Sequence, residues 1–162
     1  MRGYCAIGIS HTKTEANVGT LWRSAHNFGA AFLFTLARRY HYRQASDTTH
    51  APKHVPLFHF ADVDELKRHL PWGCPLIGVE LDERAVNLAT FVHPRSGCYL
   101  LGAEDHGLTP REREACHFIV QVPGAERCLN VASAGSIVLY DRVAKAAREE
   151  GSWNPMRMHA VA

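Results

Sequence analysis

Three segments of this 162-residue chain carry residue types at spacings that could do chemistry. The first is Asn17-Val-Gly19-Thr-Leu-Trp-Arg23, running on to Phe28-Gly29. Val18, Leu21, Trp22 and Ala25 recur at helical spacing, with Asn17 at the N-cap position and Gly29 at the stop, which predicts a helix over Asn17–Phe28. Gly19 and Arg23 are four apart and share a face, so the arginine lies over a first turn with uncovered amides. That is a place to hold a phosphate. The second segment is Leu100-Leu-Gly102-Ala-Glu104-Asp-His106-Gly107-Leu-Thr-Pro110. An apolar strand ends on Gly102, where a ligand can approach the main chain, and Glu104 puts an acid at the carboxyl edge of the sheet, where open α/β sheets bind ligands. The third begins Gln121-Val-Pro-Gly124 and continues through Cys128-Leu-Asn130 into a run of small residues, Ala132 to Ser136. Asn130 caps a helix there, and its bare first turns suit a ligand, a second subunit or a close helix–sheet contact. Each segment alone also fits an ordinary structural role; three in succession point to a site.

The elements that must position them alternate strand and helix, which predicts an α/β fold with a mostly parallel sheet and helices on both faces. Strands are expected at Tyr4–Ser10, Ala31–Ala37, Leu57–Phe60, Leu76–Leu81, Tyr99–Ala103 and Phe118–Val122. Asp62 and Glu65 form a capping box for a helix ending near Leu70, and Thr109, Pro110 and Glu112 open another. The last helix spans Val131–Glu149, with Ala134, Ile137, Val138, Ala144 and Ala147 on its apolar face. The tail from Gly151 carries Trp153 but no clear element.

Composition sets the bounds. At 46% hydrophobic and 21% charged residues the chain reads as one globular domain over 1–162, with no separate RNA-binding domain. It has no apolar run of membrane-spanning length and no signal peptide, so a cytoplasmic location away from membranes is expected. Five scattered cysteines without a C-x-x-C read as small, reduced hydrophobes. Eleven histidines invite a metal, but Pro52 breaks the one i, i+4 pair, His50 and His54; no metal is expected. Net charge is only +2, yet Arg38, Arg39, Arg43 and Lys53 against Asp47 leave a local excess of +3. Tyr40, His41 and Tyr42 interleave with them, as in single-strand RNA binders. Neither G-x-G-x-x-G nor a P-loop occurs, which argues against a doubly wound nucleotide-binding protein.

Together the segments resemble the SpoU/TrmH branch of the SPOUT superfamily of RNA methyltransferases. The likeness rests on N-x-G-x-x-x-R-x-x-x-x-F-G at Asn17–Gly29, L-G-x-E-x-x-G-L at Leu101–Leu108 and P-G-x-x-x-C-L-N-V-A at Pro123–Ala132, and covers about residues 4–148. The resemblance implies a C-terminal deep trefoil knot, a homodimer, S-adenosylmethionine as cofactor, and methylation of ribose 2′-hydroxyls in tRNA or rRNA. It implies Arg23, Asn17, Glu104 and Asn130 as catalytic residues. The cofactor would bind among Val79 and Glu80; Leu101, Gly102 and Ala103; and Val122, Gly124, Cys128 and Leu129. RNA would be gripped by Arg38, Arg39 and Arg43.

On that reading the ribose oxygen displaces homocysteine from the methyl group. A guanidinium normally keeps its charge, so Arg23 is expected to bind the adjacent phosphate and favour the developing alkoxide. A neutral Arg23 acting as base would need a strong local perturbation. Asn17 and Asn130 would orient Arg23 and the ribose, with Glu104 holding Arg23. Cys128 stands where many relatives carry serine and is expected only to line the site. His106 is expected to be a turn residue. The rival within the same fold is a non-catalytic RNA-binding protein; retention of Asn17, Arg23, Glu104 and Asn130 together argues against it.

Overall fold

Seven parallel strands in the order β3-β2-β1-β6-β4-β7-β5 form the sheet among the residues that the computed structural model describes, 4–37, 50–124 and 128–149. In chain order these are β1 (Cys5–Ser10), β2 (Phe32–Leu36), β3 (Leu57–Phe60), β4 (Leu76–Val79), β5 (Val86–Asn87), β6 (Gly97–Leu101) and β7 (Phe118–Gln121). The helices are α1 (Glu15–Asn27), α2 (Val63–His69), α3 (Pro110–Ala115) and α4 (Val131–Glu149). Of the expected strands, β3 has the expected bounds, β6 lies two residues earlier than expected, and the others are one or two residues shorter, β4 and β7 at the end where the chain turns off the carboxyl edge. The two-residue β5, exposed at the sheet's edge, has too little pattern to be read in advance. Arg38, Arg39 and Arg43, with Tyr40, His41, Tyr42 and Asp47, lie outside the described residues, as does Trp153.

β1, β4 and β6 are buried along their whole length, as central strands covered on both faces must be. One face packs under α1 and α4 around Ile7, Leu21, Trp22, Tyr99 and Val138. The other packs under α2 and α3 around Phe34, Leu66, Leu76 and Leu100. Thr109 and Glu112 make the expected reciprocal capping box. At α2 the box is incomplete: Asp62 accepts the Glu65 N–H, but the Glu65 carboxylate reaches the N–H of Ala61.

Two expectations are corrected. Asn17 does not cap α1; the helix begins at Glu15 after Thr14, and Asn17 sits buried in the first turn with its side chain engaged elsewhere. On α4 the buried face is Val131, Ala132, Gly135, Val138, Leu139 and Ala144, leaving Ile137 exposed alongside Tyr140 and Val143. Gly135 faces inward because a Cβ there would lie 2.5 Å from Leu21 Cδ1 and 3.0 Å from Leu101 Cδ1.

A buried polar network fastens α4 to the segment before β6. Burial pushes the Tyr99 hydroxyl's pKa up, so Tyr99 keeps its proton and donates to His93 Nδ1 at 2.6 Å. His93 Nε2–H then donates to Asp141 at 2.8 Å, and Asp141 also pairs with Lys145. Arg142 donates to the carbonyls of Pro94 and Arg95 at 2.6 and 2.7 Å. Burial holds His93 below its ordinary value of 6.5, against the pull of Asp141. The unfolded chain therefore takes up the proton first, and stability falls as pH drops below about 6.5. Urea midpoints measured from neutral to mildly acidic pH should show that fall, and a His93→Gln variant, less stable throughout, should lose this component of it.

Candidate functional site

The carboxyl ends of β4, β6 and β7 surround one cleft, because parallel strands deliver all their exits to the same edge. Val79, Glu80 and Leu81 form one wall and Leu101, Gly102 and Ala103 the floor. Gln121 and Val122, with Cys128 and Leu129, close the third side. All the expected cofactor residues line it except Gly124. Val131 and Ala134 of α4 also face it; the small-residue run thus serves partly as cleft wall and partly, at Ala132 and Gly135, as close packing.

The floor is a tight turn. Ala103 and Gly107 exchange main-chain hydrogen bonds at 3.1 Å each, and Gly107 takes a φ of +66°, where glycine costs nothing. Gly102 was expected to leave room for a ligand. Its bare face is filled by the turn itself, since a Cβ there would lie 2.3 Å from the Gly107 carbonyl carbon. Glu80 braces the same turn from β4: one carboxylate oxygen accepts the Leu108 N–H at 2.7 Å and the other the Leu81 N–H at 3.0 Å. Sequence reasoning placed Glu80 among ligand-contacting residues and missed this role. The only available signal was an acid at a strand end, which does not reveal a partner 28 positions away.

At the mouth, three segments distant in sequence meet in one hydrogen-bonded chain. Asn17 Nδ2 donates to Glu104 Oε1 at 2.8 Å, and Asn130 Nδ2 donates to Asn17 Oδ1 at 2.9 Å. Asn130 Oδ1 meanwhile accepts the Ser133 N–H at 3.1 Å, the expected cap of α4. Glu104 Oε2 accepts the Lys13 N–H at 3.2 Å. Partial burial raises the Glu104 carboxyl's pKa, but hydrogen bonds from its own amide, from Asn17 and from the Lys13 and Thr14 amides outweigh it and leave the group below its ordinary value. Glu104 is thus an acceptor-only anion near neutral pH, which fixes the Asn17 amide with its nitrogen toward Glu104 and its oxygen toward Asn130. Arg23 stands exposed on α1, about 120° around the helix from Asn17. Cys128 is exposed at the cleft, and His106 occupies the turn.

A parallel α/β sheet with a ligand cleft at its carboxyl edge is the class this geometry defines. Within it, the chain belongs to the SpoU rRNA methylase family, whose model matches residues 5–140. A relative from Archaeoglobus fulgidus, named an uncharacterized tRNA/rRNA methyltransferase, is 26% identical over an alignment of 144 positions that covers 85% of this chain and 63% of the relative. The SpoU methyltransferase AviRb from Streptomyces viridochromogenes, solved in complex with the cofactor AdoMet, shares the fold with a TM-score of 0.74 at 22% identity, over 90% of this chain and 59% of that one. A protein solved for the 2-OH methylation of C/U34 on tRNA shares it with a TM-score of 0.71 at 20% identity, over 90% of this chain and 92% of that one. The chain therefore spans about six-tenths of the length of the first two.

Because the turn's own main chain fills the space beside Gly102, Gly102→Ala should force it open. A loss of about 1–3 kcal/mol in urea unfolding is expected, with little change in far-ultraviolet circular dichroism of the folded state.

Proposed function

We propose that this protein transfers a methyl group from S-adenosylmethionine to a ribose 2′-hydroxyl of tRNA or rRNA. The observation that carries the reading is the Glu104–Asn17–Asn130 chain at the cleft mouth, which joins the three family motifs. The cleft fits the cofactor's chemistry. Val79, Leu101, Val122 and Leu129 offer apolar surface for the adenosine, and the strand ends offer main-chain groups. Glu104, an anion, suits a neighbouring cation.

When bound, S-adenosylmethionine supplies a methyl already activated on a sulfonium, so the protein has chiefly to position the hydroxyl and help remove its proton. Asn17, locked in one orientation, and Asn130 orient the ribose. Arg23, exposed on α1, suits contact with an RNA phosphate and stabilisation of the developing alkoxide. Arg38, Arg39 and Arg43 would add positive charge for the RNA backbone. Cys128 lines the cleft without a nucleophilic role.

The assembly we favour is a homodimer, supported by Ile137, Tyr140 and Val143 exposed on one stretch of α4, with Tyr140 against Phe28. The C-terminal part is threaded as a trefoil knot, a reading that rests on family membership and the placement of β4 between β6 and β7. An RNA substrate of this kind would place the protein in the cytoplasm.

Calorimetric titration should show binding of S-adenosylmethionine and none of NADH or ATP. Arg23→Ala should keep that affinity while methyl transfer to bulk tRNA or rRNA falls about a hundredfold or more. Nucleoside analysis should find the methyl on ribose. Loss of cofactor binding in Arg23→Ala, or a methylated base, would overturn this division of roles.

A further inference from the structure

Beside the cleft mouth, outside the family motifs' expected catalytic set, two imidazoles stand together. His11 follows β1 and His106 sits in the Ala103–Gly107 turn; their rings lie edge to face, centroids 5.8 Å apart, with side chains 42% and 47% exposed. His11 holds a φ of +48°, a left-handed conformation uncommon outside glycine and best tolerated otherwise by Asn, Asp and His. Such a residue persists only where its surroundings over-determine it, and such positions cluster at functional sites. Here the His11 N–H donates to the Leu36 carbonyl at 3.2 Å, fixing the backbone to the end of β2. His106 Nδ1 lies 3.0 Å from the Gly107 carbonyl and so carries a proton toward it, which fixes the second ring against its turn.

The charged groups around the pair are accounted for. Glu112 lies 3.9 Å from His11 Nε2 and is itself buried, accepting from Ser10 Oγ and from the Thr109 amide and hydroxyl. Asp105 lies 3.7 Å from His106 Nε2 and pairs with Lys13. Lys13 in turn gives its main-chain N–H to Glu104. The pair is therefore tied from both sides to the residue that orders the cleft mouth: His106 is two positions from Glu104, and His11 two from Lys13.

A face and an edge held at a fixed angle in solvent do little for stability, but they suit a flat aromatic ligand. One ring offers its face for stacking while the other presents a polar edge. Single-stranded nucleic acids are gripped in this way, by aromatic or histidine faces beside cations. We infer that His11 and His106, with Lys13 beside them, form a stacking platform for an unpaired base of the RNA, next to the nucleotide whose ribose enters the cleft. This rests on the proposed methyltransferase reading for the identity of its neighbour, but its own chemistry is that of a base-binding subsite. It would make the substrate a loop or single strand rather than a closed duplex.

The test uses the full chain and a short single-stranded oligoribonucleotide carrying one 2-aminopurine, whose fluorescence is quenched on stacking. Wild-type protein should quench it. His106→Ala, and His11→Asn, which keeps a residue tolerant of the left-handed backbone, should each weaken binding by roughly tenfold. His106→Phe should restore both quenching and affinity, which a merely structural role for the imidazole would not. Cofactor affinity by calorimetry should be unchanged in all three. No quenching by wild-type protein, wild-type behaviour in both His106→Ala and His11→Asn, or failure of phenylalanine to rescue would each overturn the inference. If quenching follows this pattern while wild-type protein takes up no S-adenosylmethionine, the platform stands and the methyltransferase reading falls.

Discussion

Glu80 bridges two strand exits that have no covalent reason to stay together, and the geometry of the carboxyl edge follows from it. Its two oxygens take the amides of Leu81 and Leu108, at 3.0 and 2.7 Å, and so lock the end of β4 to the turn after β6. Hydrogen bonds to a carboxylate contribute about 1.5–3 kcal/mol each, enough to hold a short turn against its conformational entropy. Gly107 is required twice over: its φ is positive, and a Cβ would lie 2.2 Å from the Glu80 carboxylate. With that turn fixed, Ala103 is the cleft floor and Glu104 faces α1 rather than solvent alone.

The second arrangement that depends on close packing is the seat of α4. Gly135 lets the helix approach Leu21 and Leu101, while Ser24 and Ser136 meet at 2.7 Å between α1 and α4. That approach brings Asn130, at the start of α4, to Asn17 in the first turn of α1. The far half of α4 is held by His93, Asp141, Lys145 and Arg142, whose polar atoms satisfy one another and the carbonyls of the segment before β6. An apolar core at one end and a satisfied polar network at the other give a helix with one position.

These two fastenings place opposite kinds of surface side by side. The cleft is apolar with carboxylates at its rim, which suits a ligand with an aromatic part and a positive charge. The surface beside it carries Lys13, His11 and His106, donors and ring faces suited to a polyanion with bases. The proposed transfer of a methyl from a cationic donor to an RNA hydroxyl would need both surfaces at one edge.

Much of this was legible in the sequence, for stated reasons. Unbroken apolar runs announced the central strands, and Thr109-Pro110 with Glu112 announced a helix start, because burial and capping act locally along the chain. The end of α1 at Gly29 and the cap at Asn130 were read from residue type and spacing, whereas most of the cleft lining was implied by the resemblance to the family. What the sequence could not say was which partners those residues would take. Asn17 reads as an N-cap, since nothing local reveals that Glu104 and Asn130 will claim its side chain. Glu80 reads as a ligand contact and Gly102 as a place for a ligand to approach the main chain; both line the cleft, but only the fold reveals that Leu108 and Gly107 also pack against them. On α4 Val138 and Ala144 are buried as expected, but Ile137 is exposed and the core face is centred on Gly135, which counts as neutral in any periodicity. Local pattern thus determined the elements and the motifs that carry the resemblance, while hydrogen bonds across 28 to 113 positions, formed only when the strand ends converge, decided which partners those residues take.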